Sequence, residues 1–430
     1  MNSAIASVRG RRVWDSRGRP TVEVEVRLAS GAVGRAIAPA GASRGRHEAV
    51  DLRDGGEGFG RHDVTRALRG IAGEIAPALR GCDASDQEAV DRLLIDLDGT
   101  ADKSRLGGNA LIATSMAVLH ASAAAAGEPL WKHVAGSGPV TMPVPEIQIF
   151  GGGAHAARRV DVQDFMVVCP TAASFAEALD RTARVYHAAG ELLAARGLLQ
   201  GVADEGGYWP AFSSNEEALD MLVRAIEAAG FVPGEEVSIS LDIAASEFGA
   251  NGRYRLSRDG TELDSDGLIE LLGGWLARYP ILSVEDPVGE DDEKGFQAFT
   301  AAHGDRVQVI GDDLLVTNAG RVRRAAENRS CNALLVKPNQ AGTVSETRAA
   351  LLAARQAGFA TIVSARSGET EDTTIVHLAL GWNAGQLKVG SFSRSERMAK
   401  WNEGLRIEEV SGAPFAGPSV FGHLRMRAAL

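Results

Sequence analysis

Six runs in the second half of the chain each end on a residue able to do chemistry. VSISLD ends on Asp242, ILSVE on Glu285, VQVIGD on Asp312, ALLVK on Lys337, ATIVSARS on Ser367 and GQLK on Lys388. Three carboxylates aimed at one point repel one another unless a cation sits among them. No His or Cys signature lies nearby, so a hard, oxygen-seeking ion such as Mg2+ suits the set. Lys337 and Lys388 would face those carboxylates. A lysine beside a dication and a second lysine gives up its proton more readily, which makes Lys337 a candidate general base. Glu205, in the Gly-rich turn VADEGGYWP, is a candidate general acid. Arg366 and Ser367, in SARSGETED, offer a fork and a hydroxyl suited to a phosphate. Together these groups describe removal of a proton beside a carboxylate, followed by loss of a β-leaving group.

The lysines stand out by their scarcity. Of 45 basic residues only six are lysine, at 103, 132, 294, 337, 388 and 400, and the rest are arginine. A lysine kept against that background suggests a need for an amine whose pKa can be shifted. Lys103, Lys132 and Lys294 read instead as chance survivors on the surface.

These residues need strands to aim them. The ends of the six runs are separated by 43, 27, 25, 30 and 21 residues, the period of a βα unit, which predicts a (β/α)8-type barrel with its chemistry at the C-terminal strand ends. Ahead of it, the Val/Glu alternation over 21–27 reads as a half-buried strand of a hairpin or meander. Apolar spacing predicts helices over 62–80, 84–96 and 109–126. A Gly/Pro-rich stretch around 134–145 marks a boundary, giving an N-terminal domain over 1–135 and a barrel domain over 140–430. The 430 residues accommodate a small domain beside a barrel of about 250.

Composition excludes other classes. The formal charge of −11 disfavours nucleic acid or an anionic membrane as the main partner. No run is read as a membrane span, and the first residues lack the apolar segment of a signal peptide, so a cytoplasmic location is expected. Three widely spaced cysteines predict neither a disulfide framework nor a zinc site.

The motifs WDSRGRPTVEVEV, APAGASRG, LDGTADKSRLGGNA, MPVP, GGGAHA, VQDFM, DEGGY, SLDIAASEF, YPILSVEDP, GDDLLVTN, LVKPNQAGT, RSGETED, GQLKVGSFSRSER and RIEE resemble the enolase family in order and spacing, from end to end. The resemblance implies a small N-terminal α+β cap on a modified barrel, a homodimer or higher homo-oligomer, two Mg2+ ions and a small anionic phosphorylated substrate. It assigns the first metal to Asp242, Glu285 and Asp312, and closure over the second to Ser43. Lys337 matches the base, Glu205 the acid and Lys388 the contact to the substrate carboxylate. Arg366 and Ser367 match the phosphate contacts, and His155 and Gln163 the substrate-side wall.

Several positions depart from the family pattern. Asp164 stands where the family has a glutamate that works with the acid, and the missing methylene retracts its carboxylate by about 1.5 Å. Ala365 replaces a histidine at the phosphate end. Phe150-Gly151-Gly152 replaces NGG, Ala40 lies in the loop APAGAS, and Arg44 replaces a threonine. Arg44, Arg46, Arg158 and Arg159 add positive charge to loops expected near the mouth. The metal and base side is kept while the acid and phosphate ends change. The expectation is a specialised biosynthetic family member that joins an enolpyruvate unit to a nucleotide-activated phosphonoformate co-substrate. The alternatives are an ordinary enolase interconverting 2-phosphoglycerate and phosphoenolpyruvate, and a non-catalytic, moonlighting relative. The intact charge cluster argues against the last.

Overall fold

The structure, a computed structural model, describes residues 3–258 and 260–424. The chain opens with an antiparallel meander of β1 (Ile5–Trp14), β2 (Pro20–Leu28) and β3 (Val33–Ile37). Its inner face rests on the helix Gly108–Ala126. The approach is close. A Cβ on Gly34 would lie 2.1 Å from the backbone nitrogen of Ala121, so only a glycine lets β3 sit against that helix. By length and composition this helix could cross a bilayer, which corrects the reading that no run suffices; 78% of its apolar window is buried in the protein. The expected 62–80 helix runs over 65–79, with a widened turn at Ile71–Ile75, and the next covers Gln87–Asp98.

The rest of the chain builds a closed barrel. Its strands are β4 (Val144–Gly151), β5 (Asp164–Val168), β6 (Ser238–Asp242), β10 (Ile281–Glu285), β11 (Gln308–Gly311), β12 (Ala333–Val336), β13 (Ala360–Ser364) and β14 (Gly385–Ser391). A small separate sheet of β7 (Gly249–Ala250), β8 (Arg253–Arg255) and β9 (Glu262–Asp264) follows β6. All neighbouring barrel strands run parallel except β5, which is antiparallel to both β4 and β6. The α/β class and the barrel with its smaller N-terminal α+β unit therefore stand, and the modification is located: the barrel begins with two strands in succession and one of them is reversed.

Local chemistry supports the helices on the barrel's outer face. Ser174, Ser214 and Thr343 each accept from the backbone N–H of a glutamate three residues on, at Glu177, Glu217 and Glu346, an arrangement that satisfies otherwise orphaned first-turn donors. The strands are buried along almost their full length, as strands covered on both faces must be.

Candidate active site

Strand register brings the chemical residues together. Asp242 pairs with Asp164 on one side and with Glu285 on the other, while Lys388 lies beside Ser364 and Glu146. Asp312 and Lys337 directly follow β11 and β12, and Arg366 and Ser367 follow β13. Asp164, Asp242, Lys337, Arg366, Ser367 and Lys388 line one pocket together with Ser43, His155, Gln163 and Glu205, and Glu285 and Asp312 lie behind it, bonded to Lys388 and Lys337. The pocket encloses only about 20 Å³, and opposite charges meet across it.

Lys388 donates to Asp242 at 3.1 Å and to Glu285 at 2.7 Å, and lies 3.6 Å from Asp164. Lys337 donates to Asp312. Burial and the neighbouring Asp242 push Glu285 well above the ordinary carboxylate range. Burial works the same way on Asp312, yet Lys337 outweighs it and holds that acid low. Lys337 itself is raised: burial would lower it, but Asp312 dominates. That direction belongs to the Lys337–Asp312 pair alone, whereas the expected weakening of the lysine's proton affinity refers to a site with a dication beside it.

The donor set fits a hard cation. It is made of carboxylate oxygens, and Glu285 Oε1 is buried without a hydrogen-bond partner, an acceptor left over for a cation. Among the described residues, the triplets whose ligand atoms lie within 4.8 Å of one another are Asp286/Asp312/Asp313 and His155/Asp164/Glu205. Asp242, Glu285 and Asp312 do not form such a triplet, since ammonium groups sit among their oxygens. Asp286 is also structural, accepting from the backbone N–H groups of Asp312 and Asp313 at 2.9 Å each.

Across the pocket, His155 Nδ1 lies 3.1 Å from Asp164 Oδ1, and its Nε2 lies 3.9 Å from Glu205 Oε1. Burial would lower the imidazole's pKa, but Asp164 and then Glu205 raise it to about 9. Asp164 is correspondingly held far below its usual range, with His155 outweighing burial. Gln163 donates to Asp242 at 3.1 Å. At the phosphate end, Arg366 donates to Glu48 at 2.9 Å and to the Ser43 carbonyl at 2.9 Å, and Ser367 Oγ accepts from the Ala42 N–H at 2.6 Å. The Ser43 loop is thus fastened to the barrel by the residues expected to hold phosphate.

Family models match at both ends of the molecule. The enolase N-terminal domain covers residues 5–134, and the enolase C-terminal TIM barrel domain covers 139–423. The chain belongs to the enolase family. Its active-site candidates occupy the strand ends where a barrel of this kind concentrates chemistry.

Some expectations need correction. Lys103 is no surface survivor: it is buried and donates to Glu346 at 2.8 Å. None of Arg44, Arg46, Arg158 and Arg159 lines the central pocket. Arg44 is exposed. Arg46 pairs with Glu290 and Asp291, Arg158 with Glu247, and Arg159 stacks on Trp209 at 4.6 Å. Sequence reasoning also missed Glu48, the partner of Arg366, and Arg397. The latter is fully buried and donates to the carbonyls of Arg366, Val389 and Ser367 at 2.6–2.7 Å. Only the SFSRSER motif that contains it hinted at a role.

Proposed function

We propose that this enolase-family protein is a Mg2+-dependent lyase-type enzyme acting on a substrate of the phosphoglycerate or phosphoenolpyruvate type. The observation that carries this reading is the meeting of two buried lysines with three buried carboxylates at one pocket beside Arg366 and Ser367. Asp242, Glu285 and Asp312 would hold one Mg2+, and Ser43 would close over a second. The ions supply positive charge that makes the hydrogen beside the substrate carboxylate more acidic. Lys388 binds that carboxylate, and Arg366 and Ser367 hold the phosphate. Lys337 takes the proton once Asp312 is drawn away from it. Glu205, backed by His155 and Asp164, protonates the leaving group, while His155 and Gln163 wall the substrate side.

The specialised reading, carboxyphosphonoenolpyruvate synthase-like chemistry with a nucleotide-activated phosphonoformate, draws support from Ala365 and from a second cleft. This cleft, of about 510 Å³, is lined by Gly153, Arg158, Arg255 and Ser257 among others, and its Gly153 lies two residues from His155 of the central pocket. The cleft also holds Asp161 and Glu247, and Arg158 pairs with Glu247 at 3.6 Å, so a phosphate carried by a larger co-substrate would have to displace that acid to reach Arg158 and Arg255. Ordinary enolase chemistry is favoured by a different observation, the contact of Asp164, His155 and Glu205 despite the shortened aspartate. Incubation with Mg2+ and 2-phosphoglycerate beside an ordinary enolase separates them. Fast formation of phosphoenolpyruvate supports the ordinary reaction. Slow or absent formation with Mg2+ binding intact supports the specialised one. Loss of Mg2+ binding would defeat both and favour a non-catalytic role.

A further inference from the structure

Asp164 is one methylene shorter than the glutamate it replaces, yet its carboxylate meets His155. The residue that bridges the gap is Gln148, on β4, fully buried. Its amide nitrogen donates to Asp164 Oδ1, the oxygen that also faces His155 Nδ1. Its carbonyl oxygen accepts from the Gly207 N–H at 2.8 Å, in the turn that carries Glu205. We infer that Gln148 is a positioning residue that ties Asp164 to the Glu205 turn and sets the geometry of the acid half of the site.

Three further observations carry this. First, an amide supplies both groups from one side chain, a donor for the carboxylate oxygen and an acceptor for the backbone N–H. Second, with two donors on Oδ1, Asp164 Oδ2 makes no hydrogen bond and points to Lys388 at 3.6 Å. The rotamer of Asp164 is thereby fixed, with one oxygen toward each half of the pocket. Third, the turn leaves room for nothing else. A Cβ on Gly207 would lie 2.5 Å from Gln148 Oε1, and Gly206, at φ +96°, would place one 2.6 Å from the Ser393 carbonyl. The turn is further pinned to β4 by Tyr208 N–H to the Ile149 carbonyl at 2.9 Å and Gly151 N–H to the Tyr208 carbonyl at 2.9 Å. Gln148 is thus the side-chain link in a backbone-fastened joint.

The inference rests on the proposed acid role of Glu205. It is tested with full-length Gln148→Met, which removes both bonds, and Gln148→Glu, which keeps the acceptor for Gly207 but loses the donor to Asp164. With Mg2+ and 2-phosphoglycerate in D2O, two quantities are followed: deuterium incorporation at C2, which needs the base half alone, and net formation of phosphoenolpyruvate, which needs both halves. Both variants are expected to keep C2 exchange within about 3-fold while net turnover falls about 100-fold with little change in KM, the scale of a misplaced catalytic group. A merely structural role would lower exchange and turnover together. Amide exchange at residues 203–208 should quicken in Gln148→Met and stay unchanged in Gln148→Glu. Equal net turnover in variants and wild type overturns the inference alone. So does a wild type that exchanges the C2 hydrogen without eliminating, because its acid half is then not assembled. A wild type showing neither activity overturns the ordinary reaction at this site, and with it the acid role of Glu205 on which the inference rests.

Discussion

The two halves of the pocket are built differently. Asp242, Glu285, Asp312, Lys337 and Lys388 sit on or directly after parallel strands whose ladder positions fix them against their neighbours. His155 sits in a single 3-10 turn (Gly153–Ala156) and Glu205 in a loop, and Asp164 stands at the start of the one reversed strand. The loop after His155 even holds Ala157 and Arg158 in left-handed backbone conformations, at φ +50° and +56°, which cost energy for residues with a Cβ. Parallel strand ends fix charges rigidly against one another, whereas loop-borne groups can be re-aimed with little effect on the core.

The sharpest way to break this comparison is to remove the strand-borne base. Lys337→Ala is expected to lower both C2 exchange and net turnover by about 10³-fold or more, with circular dichroism unchanged. Retained exchange would show the base to be another group. Glu205→Gln should cost net turnover about 10²-fold while C2 exchange persists; loss of both in step would erase the division into halves. Ala365→His restores an imidazole at the phosphate end. If that loss is what slows the ordinary reaction, phosphoenolpyruvate formation rises about 10-fold, and an unchanged rate assigns the slowing to the acid half.

The smallest effect lies outside the pocket. Burial depresses His377 to about 4, outweighing Glu403 at 3.4 Å. Its folded pKa lies below the unfolded value near 6.5, so the unfolded chain binds the extra proton. The associated stability is complete above pH 6.5 and declines as the pH falls toward 4. His377→Gln should flatten the fall of Tm across that window, by an amount equivalent to about 2 kcal/mol. An unchanged slope would assign the acid sensitivity to the carboxylate pairs of the pocket.

The strand-borne half was legible because each run ends on a polar residue and the ends recur at the βα period. The β4 and β5 strands carried no such signal. Every residue of both is buried, so alternation is absent, and Pro145 within β4 argues against a strand. The reversal of β5 leaves no trace in composition. Glu48 was invisible because it meets Arg366 across 318 positions of chain, and Gln148 because an amide inside a buried strand reads as an isolated polar residue. The arginines misled for the opposite reason: they are conspicuous in sequence, but the surface acids claim Arg46 and Arg158.

The central claim is that Lys337 removes the hydrogen beside a substrate carboxylate in a Mg2+-dependent pocket. Its most direct test is deuterium incorporation at C2 of 2-phosphoglycerate in D2O, followed by NMR with and without Mg2+. The account predicts incorporation that requires Mg2+ and vanishes in Lys337→Ala. Incorporation that ignores the ion, survives the substitution, or is absent from wild-type protein with bound Mg2+ would contradict it.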